Sequence, residues 1–461
     1  MLRRNSLLAI RLSLGGLVWG LVAGAASSSD TDPVGINSAR PVTLARCLEL
    51  AERNFPKIQE ARAKRAQKEA QVDQARFAPF SEFSVTGGVA LAPTVRGTSQ
   101  YSYNTDKALT SSMGLGWQVG IDGALPLYTF GKMTHAIEAA EAATRVGDHE
   151  IDKERNEVRL NVRRAYYGVQ LARDALGLVK DAASQIDAQI EKMRKEVAVG
   201  EGDELQLLRI RVFRSDLTVR ESEAKKQETV ALSGLRFLTG VGDALDVPNE
   251  PLLPIEQNIG TLSEILRSAS RHRPELGMAQ AGVLARQASL KLERSRLFPD
   301  LGLGLSARWT YAPEVTDQTN PFVRDNGNYL AFGVSLVARY KLDFMSQSAR
   351  ISQAKAQLEE VSATQLWARG GVAQQVKDAY AEVEDTHRRM NALADAAKLA
   401  KQWMLKVQQG IEVGTMDDED IVMPAREYAT KRFGEMLATY EYNVALAKLA
   451  QAIGDEHILG R

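Results

Sequence analysis

The amino-acid sequence predicts a mainly α-helical chain with a transmembrane β part: four strands per protomer join a barrel shared between copies, and very long helices continue it. Three observations carry that prediction. An apolar rhythm of alternating four- and three-residue steps occurs twice in the same phase. Four segments alternate apolar and polar residues with period two. Four strands, finally, are too few to close a membrane barrel, whose smallest common form has about 8.

Taken in order, the chain opens with a predicted secretory signal peptide at residues 1–26. Arg3 and Arg4 give a basic start, an apolar run broken by small residues and Arg11 follows, and Ala23-Gly24-Ala25 supplies a cleavage pattern. A membrane anchor is the weaker reading, because Arg11 stops the run short of the roughly 20 apolar residues a span needs. Apolar residues make up 44% of the chain, aromatics 6% and charged residues 25%, a globular, helix-leaning composition. Formal net charge is +0, and loss of Arg3, Arg4 and Arg11 with the leader tips the balance slightly acidic, which gives no electrostatic case for nucleic acid. Cys47 is the one cysteine, so an exported chain of this kind must be held by packing or assembly.

The remainder divides into a first repeat at 27–240, a linker or collar at 241–261, a second repeat at 262–453 and a tail at 454–461. Each repeat opens with short helices: Leu44, Leu48, Ala51, Arg53 and Pro56 are echoed by Leu262, Leu266, Ala269, Arg271 and Pro274. Pro79 and Pro299 then mark the turns into strand pairs at 81–127 and 300–343.

In the first pair Phe83, Val85, Val89 and Leu91, then Leu115, Trp117, Val119, Ile121 and Leu125, alternate with small residues, Gln118 and Asp122. In the second, Leu301, Leu303, Leu305, Trp309 and Tyr311, then Leu330, Phe332, Val334, Leu336 and Tyr340, alternate with small residues, Arg308 and Arg339. This dyad pattern puts one face in apolar surroundings and the other in water. A soluble sheet packed on helices competes with that reading, but its outer face would carry more Lys and Glu than Gly and Ser. Aromatics gather at the helix-side ends, Phe80, Tyr128 and Phe130 in one half and Phe298, Tyr340 and Phe344 in the other, as in an interfacial girdle. Polar stretches at 93–113 and 313–328 are expected to be outward loops. A bilayer offers no hydrogen-bond partner to a bare sheet edge, so the strands must be shared among protomers. Gln118, Asp122, Arg308 and Arg339 are then the expected lumen-lining residues; the opposite phase would turn Leu115, Trp117 and Ile121 inward.

Two long helical hairpins are expected at 132–237 and 345–452. The seam of the first runs Val158, Val162, Ala165, Val169, Ala172, Leu176, Val179, Ala183, Ile186, Ile190, Met193 and Val197. That of the second runs Val372, Val376, Ala379, Val383, Thr386, Met390, Leu393, Ala397, Ala400, Met404, Val407 and Ile411. Such a seam belongs to side-by-side coiled-coil packing. The hairpins reverse at Gly200 and Gly414, and the stretch between repeats, with Pro248, Pro251 and Pro254, reads as an irregular collar. The tips carry Asp203 in the first hairpin and Asp417, Asp418 and Asp420 in the second. A capping box from Thr415 to Asp418 and acids complementing a helix dipole account for them locally. Repeated around a closed ring, the same acids would favour cations and tune closure.

Three local motifs accompany the duplication. Leu125-Pro126-Leu127-Tyr128-Thr129-Phe130-Gly131-Lys132 leaves the second strand, Val413-Gly414 precedes Asp420 by six residues, and Tyr440-Glu441-Tyr442-Asn443-Val444-Ala445-Leu446-Ala447 closes the last helix. Together they resemble the TolC family of outer-membrane efflux and secretion proteins. The resemblance implies a homotrimer whose protomers contribute twelve strands to one barrel in the outer membrane of a Gram-negative bacterium, against outer-membrane lipid, with a helical barrel in the periplasm. It implies docking with a periplasmic adaptor (membrane fusion) protein and an inner-membrane pump of proton-driven or ABC type. It matches the family's periplasmic gate aspartate to Asp420. The second gate aspartate falls on Met423, and the tyrosine and arginine of the family's latch fall on Ile411 and Met416, so the latch does not carry over. Pro424, early in a returning helix, either kinks the tip or marks a later helix start.

Catalysis has no support. His135, His149, His272, His387 and His457 lack metal-ligand spacing, Gly302-Leu303-Gly304 sits in an alternating strand, and 417–420 lacks the spacing of a calcium loop. No cofactor or metal is expected. The expected function is a passive exit duct of a tripartite efflux or type I secretion system, gated at the helix tips. The alternative is a periplasmic coiled-coil adaptor or structural spacer without a channel.

Overall fold

The computed structural model describes residues 41–78, 82–96, 108–200, 202–257, 259–315, 325, 327–416 and 418–459. The expected signal peptide lies outside the described residues, as do Pro79, Phe80 and Asp417.

Each repeat has the same element order. Helices α1 (Leu44–Asn54) and α2 (Pro56–Phe77) lead to strands β1 (Ser84–Arg96) and β2 (Ala108–Tyr128), then to α3 (Lys132–Val199) and its return, α4 (Glu204–Thr239). The second repeat runs α5 (Leu262–His272), α6 (Pro274–Ser295), β3 (Asp300–Tyr311), β4 (Tyr329–Arg339), α7 (Phe344–Glu412) and α8 (Val422–Ile453). Proline explains the shared break between the first two helices of each repeat. Pro56 and Pro274 occupy first-turn positions, where a missing N–H costs nothing, and hold Phe55 and Arg273 in extended conformation.

Helices α3 and α7 have 68 and 69 residues, about 100 Å each at ~1.5 Å per residue. Every seam position named from the sequence is buried or half-buried. The return helices are shorter, so a second set of neighbours covers the strand-side halves. Arg65 pairs with Asp148 and Arg76 with Glu141 between α2 and α3, and Arg286 donates to Gln357 between α6 and α7. Toward the tips Arg214 pairs with Asp187, joining α4 to α3. Two apolar cores result. One lies around Ile58, Val158, Val162, Val169, Leu235 and Leu245, and the other around Val376, Val383, Leu446, Leu449 and Ile453.

The strands form one antiparallel sheet in the order β1-β2-β3-β4, so β2 and β3 join the repeats while β1 and β4 are its edges. The first outward loop is shorter than expected. β1 runs on to Arg96 and β2 begins at Ala108, with an irregularity between Pro93 and Val95. An edge strand tolerates proline at such a bulge, so pairing resumes beyond it.

The second tip also differs from expectation. Thr415 does not cap the returning helix: its hydroxyl and its N–H both donate to the Gly410 carbonyl, at 3.0 and 2.9 Å, closing the last turn of α7. A 3-10 turn at Asp418–Ile421 follows, and α8 starts at Val422 without a side-chain cap. Pro424 therefore sits in the first turn of a later-starting helix and is tolerated there. None of the described helices is long and apolar enough to cross a membrane.

Candidate functional site: the polar sheet face, the elbow and the helix tips

Residues directly opposite on neighbouring strands share a face of the sheet. Gln118 stands opposite Gly88 and Thr310, Asp122 opposite Ser84 and Ser306, Arg308 opposite Gly120 and Ala331, and Arg339 opposite Asp300. The register thus places all four expected lumen residues on one face, among Gly, Ala, Ser and Thr. Asp122 and Arg308 approach to 3.7 Å, and Arg339 pairs with Glu82 at 3.3 Å. Gly120 lies beside the first pair and leaves room for Thr86, whose hydroxyl a Cβ there would meet at 2.9 Å.

The other face carries Val85, Val89, Val119, Ile121, Trp309, Leu330, Phe332 and Leu336, with Phe332 85% and Leu336 81% exposed in a single protomer. So large an apolar surface marks contact with lipid or protein. Aromatic groups bound it at both ends. Trp117 packs against Trp309 and Tyr311 at 4.7 and 5.8 Å. At the helix side Tyr128 meets Phe130 at 4.6 Å, Phe130 stacks on Phe298 at 5.3 Å, and Tyr340 meets Phe344 at 6.0 Å. Along β3 the belts are roughly 34 Å apart at ~3.4 Å per residue. A strand tilt of about 40° reduces this to the ~25 Å apolar band of outer-membrane barrels.

Between sheet and helices lies a sharp elbow. Phe130 and Gly131 both have positive φ, 51° and 85°, which turns β2 abruptly into α3. Lys132 then donates to the Phe298 carbonyl at 2.8 Å and pairs with Asp300 at 2.7 Å. The strand-leaving motif of the first repeat is thereby fastened to the corresponding corner of the second.

The tips lie at the far end. Gly200 (φ 82°) ends α3, and the Asp203 carboxylate accepts from the Leu205 N–H at 2.8 Å, capping α4. Gly414 (φ 75°) ends the second hairpin's rising helix, and Asp420 lies exposed in the 3-10 turn before α8. Asp418 belongs to the same turn. Asp203 and Asp420 thus occupy the reversals of two different hairpins.

One set of residues was not singled out from the sequence. The collar is strapped to both repeats by side chains distant in the chain. Arg173 on α3 pairs with Glu228 at 2.7 Å, pairs with Asp246 and donates to the Val247 carbonyl. Asp174 accepts from the Leu252 N–H at 2.8 Å, and burial pushes its carboxyl above the ordinary range. From α8, Asn443 accepts from the Ile255 N–H at 3.0 Å and donates to the Leu253 carbonyl at 2.9 Å. Asn443 stands in the motif quoted above, but no local pattern signals its partner.

The sequence profile of one known family, the outer membrane efflux proteins, matches residues 47–241 and again 265–455. The chain belongs to that family. The expected outer-membrane residence and efflux-channel class hold with it. The cobalt-zinc-cadmium resistance protein CzcC of Cupriavidus metallidurans is 23% identical over 193 residues, which make up 40% of this chain and 44% of that protein. Among solved structures, the outer-membrane channel OprN superposes with a TM-score of 0.71 at 17% identity, covering 89% of each chain. The open state of the MtrE outer membrane channel of Neisseria gonorrhoeae superposes with a TM-score of 0.70 at 18% identity, again covering 89% of each chain. At these identities the superpositions establish the fold: long helices and a four-stranded sheet per chain, as the sequence led us to expect.

Proposed function

We propose that three copies of this chain close a twelve-stranded barrel across the outer membrane and continue it as a helical tube through the periplasm. The tube is a passive exit duct for a tripartite efflux or type I secretion system, docked to a periplasmic adaptor protein and an inner-membrane pump. The observation that carries this reading is the sheet: four strands, two edges that meet no further strand among the described residues, and an exposed apolar face between aromatic belts. Unpaired N–H and C=O groups cost several kcal/mol each in hydrocarbon, so the edges of β1 and β4 need strands from other copies. The helices need the same copies, because besides its return helix α4, α3 packs against α2 and α6 on either side, whereas α7, besides its return helix α8, packs along its strand side against α6 and the short α5.

The constriction lies at the hairpin tips, with Asp420 as the gate residue, Asp203, Gly200 and Gly414 at the reversals, and Asp417 and Asp418 as further candidate acids of the ring. Met423, Met416 and Ile411 stand where charged and hydroxyl partners would be needed for a latch, so opening here depends on repulsion within the acid ring. The partial match to CzcC makes cobalt, zinc and cadmium ions the first cargo to assay.

The test is extraction, mass and conductance together. The protein should leave membranes only in detergent, run as a trimer by light scattering, and form pores in planar bilayers. Release by high salt as a water-soluble monomer would overturn the proposal.

A further inference from the structure

We propose that Asp122 and Arg308 set the ion selectivity of the barrel by cancelling each other's field, so that the lumen at their level passes permeants of either sign. The inference rests on the channel reading above and names the residues that decide what its barrel admits.

Charges on the strands are few. Among the described residues of the four strands there are Asp122, Asp300, Arg308 and Arg339, with Arg96 at the far end of β1. Asp300 and Arg339 face one another at the helix end, where Lys132 and Glu82 engage them. Among the described residues Asp122 and Arg308 are therefore the only strand charges across the middle of the polar face. They lie on adjacent strands in diagonal register, Asp122 opposite Ser306 and Arg308 opposite Gly120. Their surroundings are Thr86, Gly304 and Ser306, which supply no charge.

The separation of 3.7 Å is well inside the Debye length of about 8 Å at physiological salt, so a passing ion meets a near-neutral dipole. Neither side chain is buried: relative exposures are 52% for Arg308 and 45% for Asp122, so both reach water. Low-dielectric walls focus whatever charge is left uncompensated in such a duct. Each copy brings one pair. Removing either member leaves a ring of like charges, and the sign of that ring sets the preferred ion.

The experiment is the potassium-to-chloride permeability ratio, read from reversal potentials of purified pores in planar bilayers under a potassium chloride gradient. Asp122→Asn should lower the ratio and Arg308→Gln should raise it. Each change should be about two- to fivefold at low salt, shrinking as salt rises. The double variant should return to within about 1.5-fold of the parent, because the remaining field is again near zero. Asp122→Glu and Arg308→Lys keep the pair, should stay near the parent ratio, and show that the site tolerates substitution. Repeating the two neutralising variants on an Asp420→Asn background removes a tip carboxylate from the series path. Shifts of equal sign, or none in conducting pores, would overturn the inference while leaving the channel standing. A parent protein that forms no pores would instead overturn the channel reading.

Discussion

Replacing Asn443 by Ala offers a sharp test of how the two repeats are held together. Asn443 is 1% exposed, and its amide serves two backbone groups of the collar, accepting from the Ile255 N–H and donating to the Leu253 carbonyl. Truncation removes the side-chain partner of both groups, which lie at the edge of the packed region, Leu253 itself being 69% exposed. Water can take over part of each lost bond, so each costs about 0.5–1.5 kcal/mol and the strap should weaken locally by roughly 1–3 kcal/mol. At about 1.4 kcal/mol per factor of ten, the Ile255 amide should exchange with solvent roughly 5- to 150-fold faster. Hydrogen exchange by mass spectrometry on the detergent-purified protein reads this directly, and it does not require reversible unfolding. Asp174→Ala serves as a contrast: it should release the Leu252 amide, whose partner it removes, and leave Ile255 protected. If Ile255 in the Asn443→Ala protein keeps its protection to within about threefold, the amide is not what holds the collar, and the assignment fails.

Further outcomes follow from the same geometry. A cysteine at Gln118 should react with a membrane-impermeant thiol reagent and one at Trp117 should not. Cys47 stays silent because it is buried and burial pushes its thiol up to about 11. Reaction at Trp117 alone would reverse the assignment of the two faces. Asp420→Ala should lower conductance severalfold if the tip is the constriction, since it weakens the repulsion that opens the ring and cuts the local cation concentration by about tenfold or more; unchanged conductance would remove Asp420 from the gate. Asp174 supplies a pH test. Its carboxyl is raised from the unfolded value of 3.8 by burial, so its contribution to stability is full below that value and is lost as pH rises through the folded one. Asp174→Asn keeps an acceptor for Leu252 and carries no charge. Its thermal midpoint should therefore gain on the parent as pH rises above about 4, and the gap should close in more acidic solution. A gap independent of pH would show that burial of the carboxylate carries no cost.

Much of the fold was legible because periodicity is a local property. The heptad seams from Val158 and Val372 fixed which side of each rod is buried, and the dyad alternation around Trp117 and Trp309 separated the sheet faces before any pairing was known. Glycines at 200 and 414 marked the reversals, since each takes a positive φ there. Errors arose where a local signal had two meanings. Pro93 reads as a strand end but sits at a bulge on an edge strand. Thr415 reads as an N-cap but closes the helix behind it.

The amino-acid sequence by itself determined the duplication, the length of the rods, the two-faced strands and hence the need for partners, because each depends on spacing along a continuous segment. Only the tertiary structure decided that β2 and β3 zip the repeats into one sheet, that Asp122 meets Arg308, and that Asp174 and Asn443 hold the same collar from opposite repeats. Those contacts join residues far apart in the chain, and no spacing rule constrains them. They follow from how the rods and strands settle against one another once the apolar faces are buried.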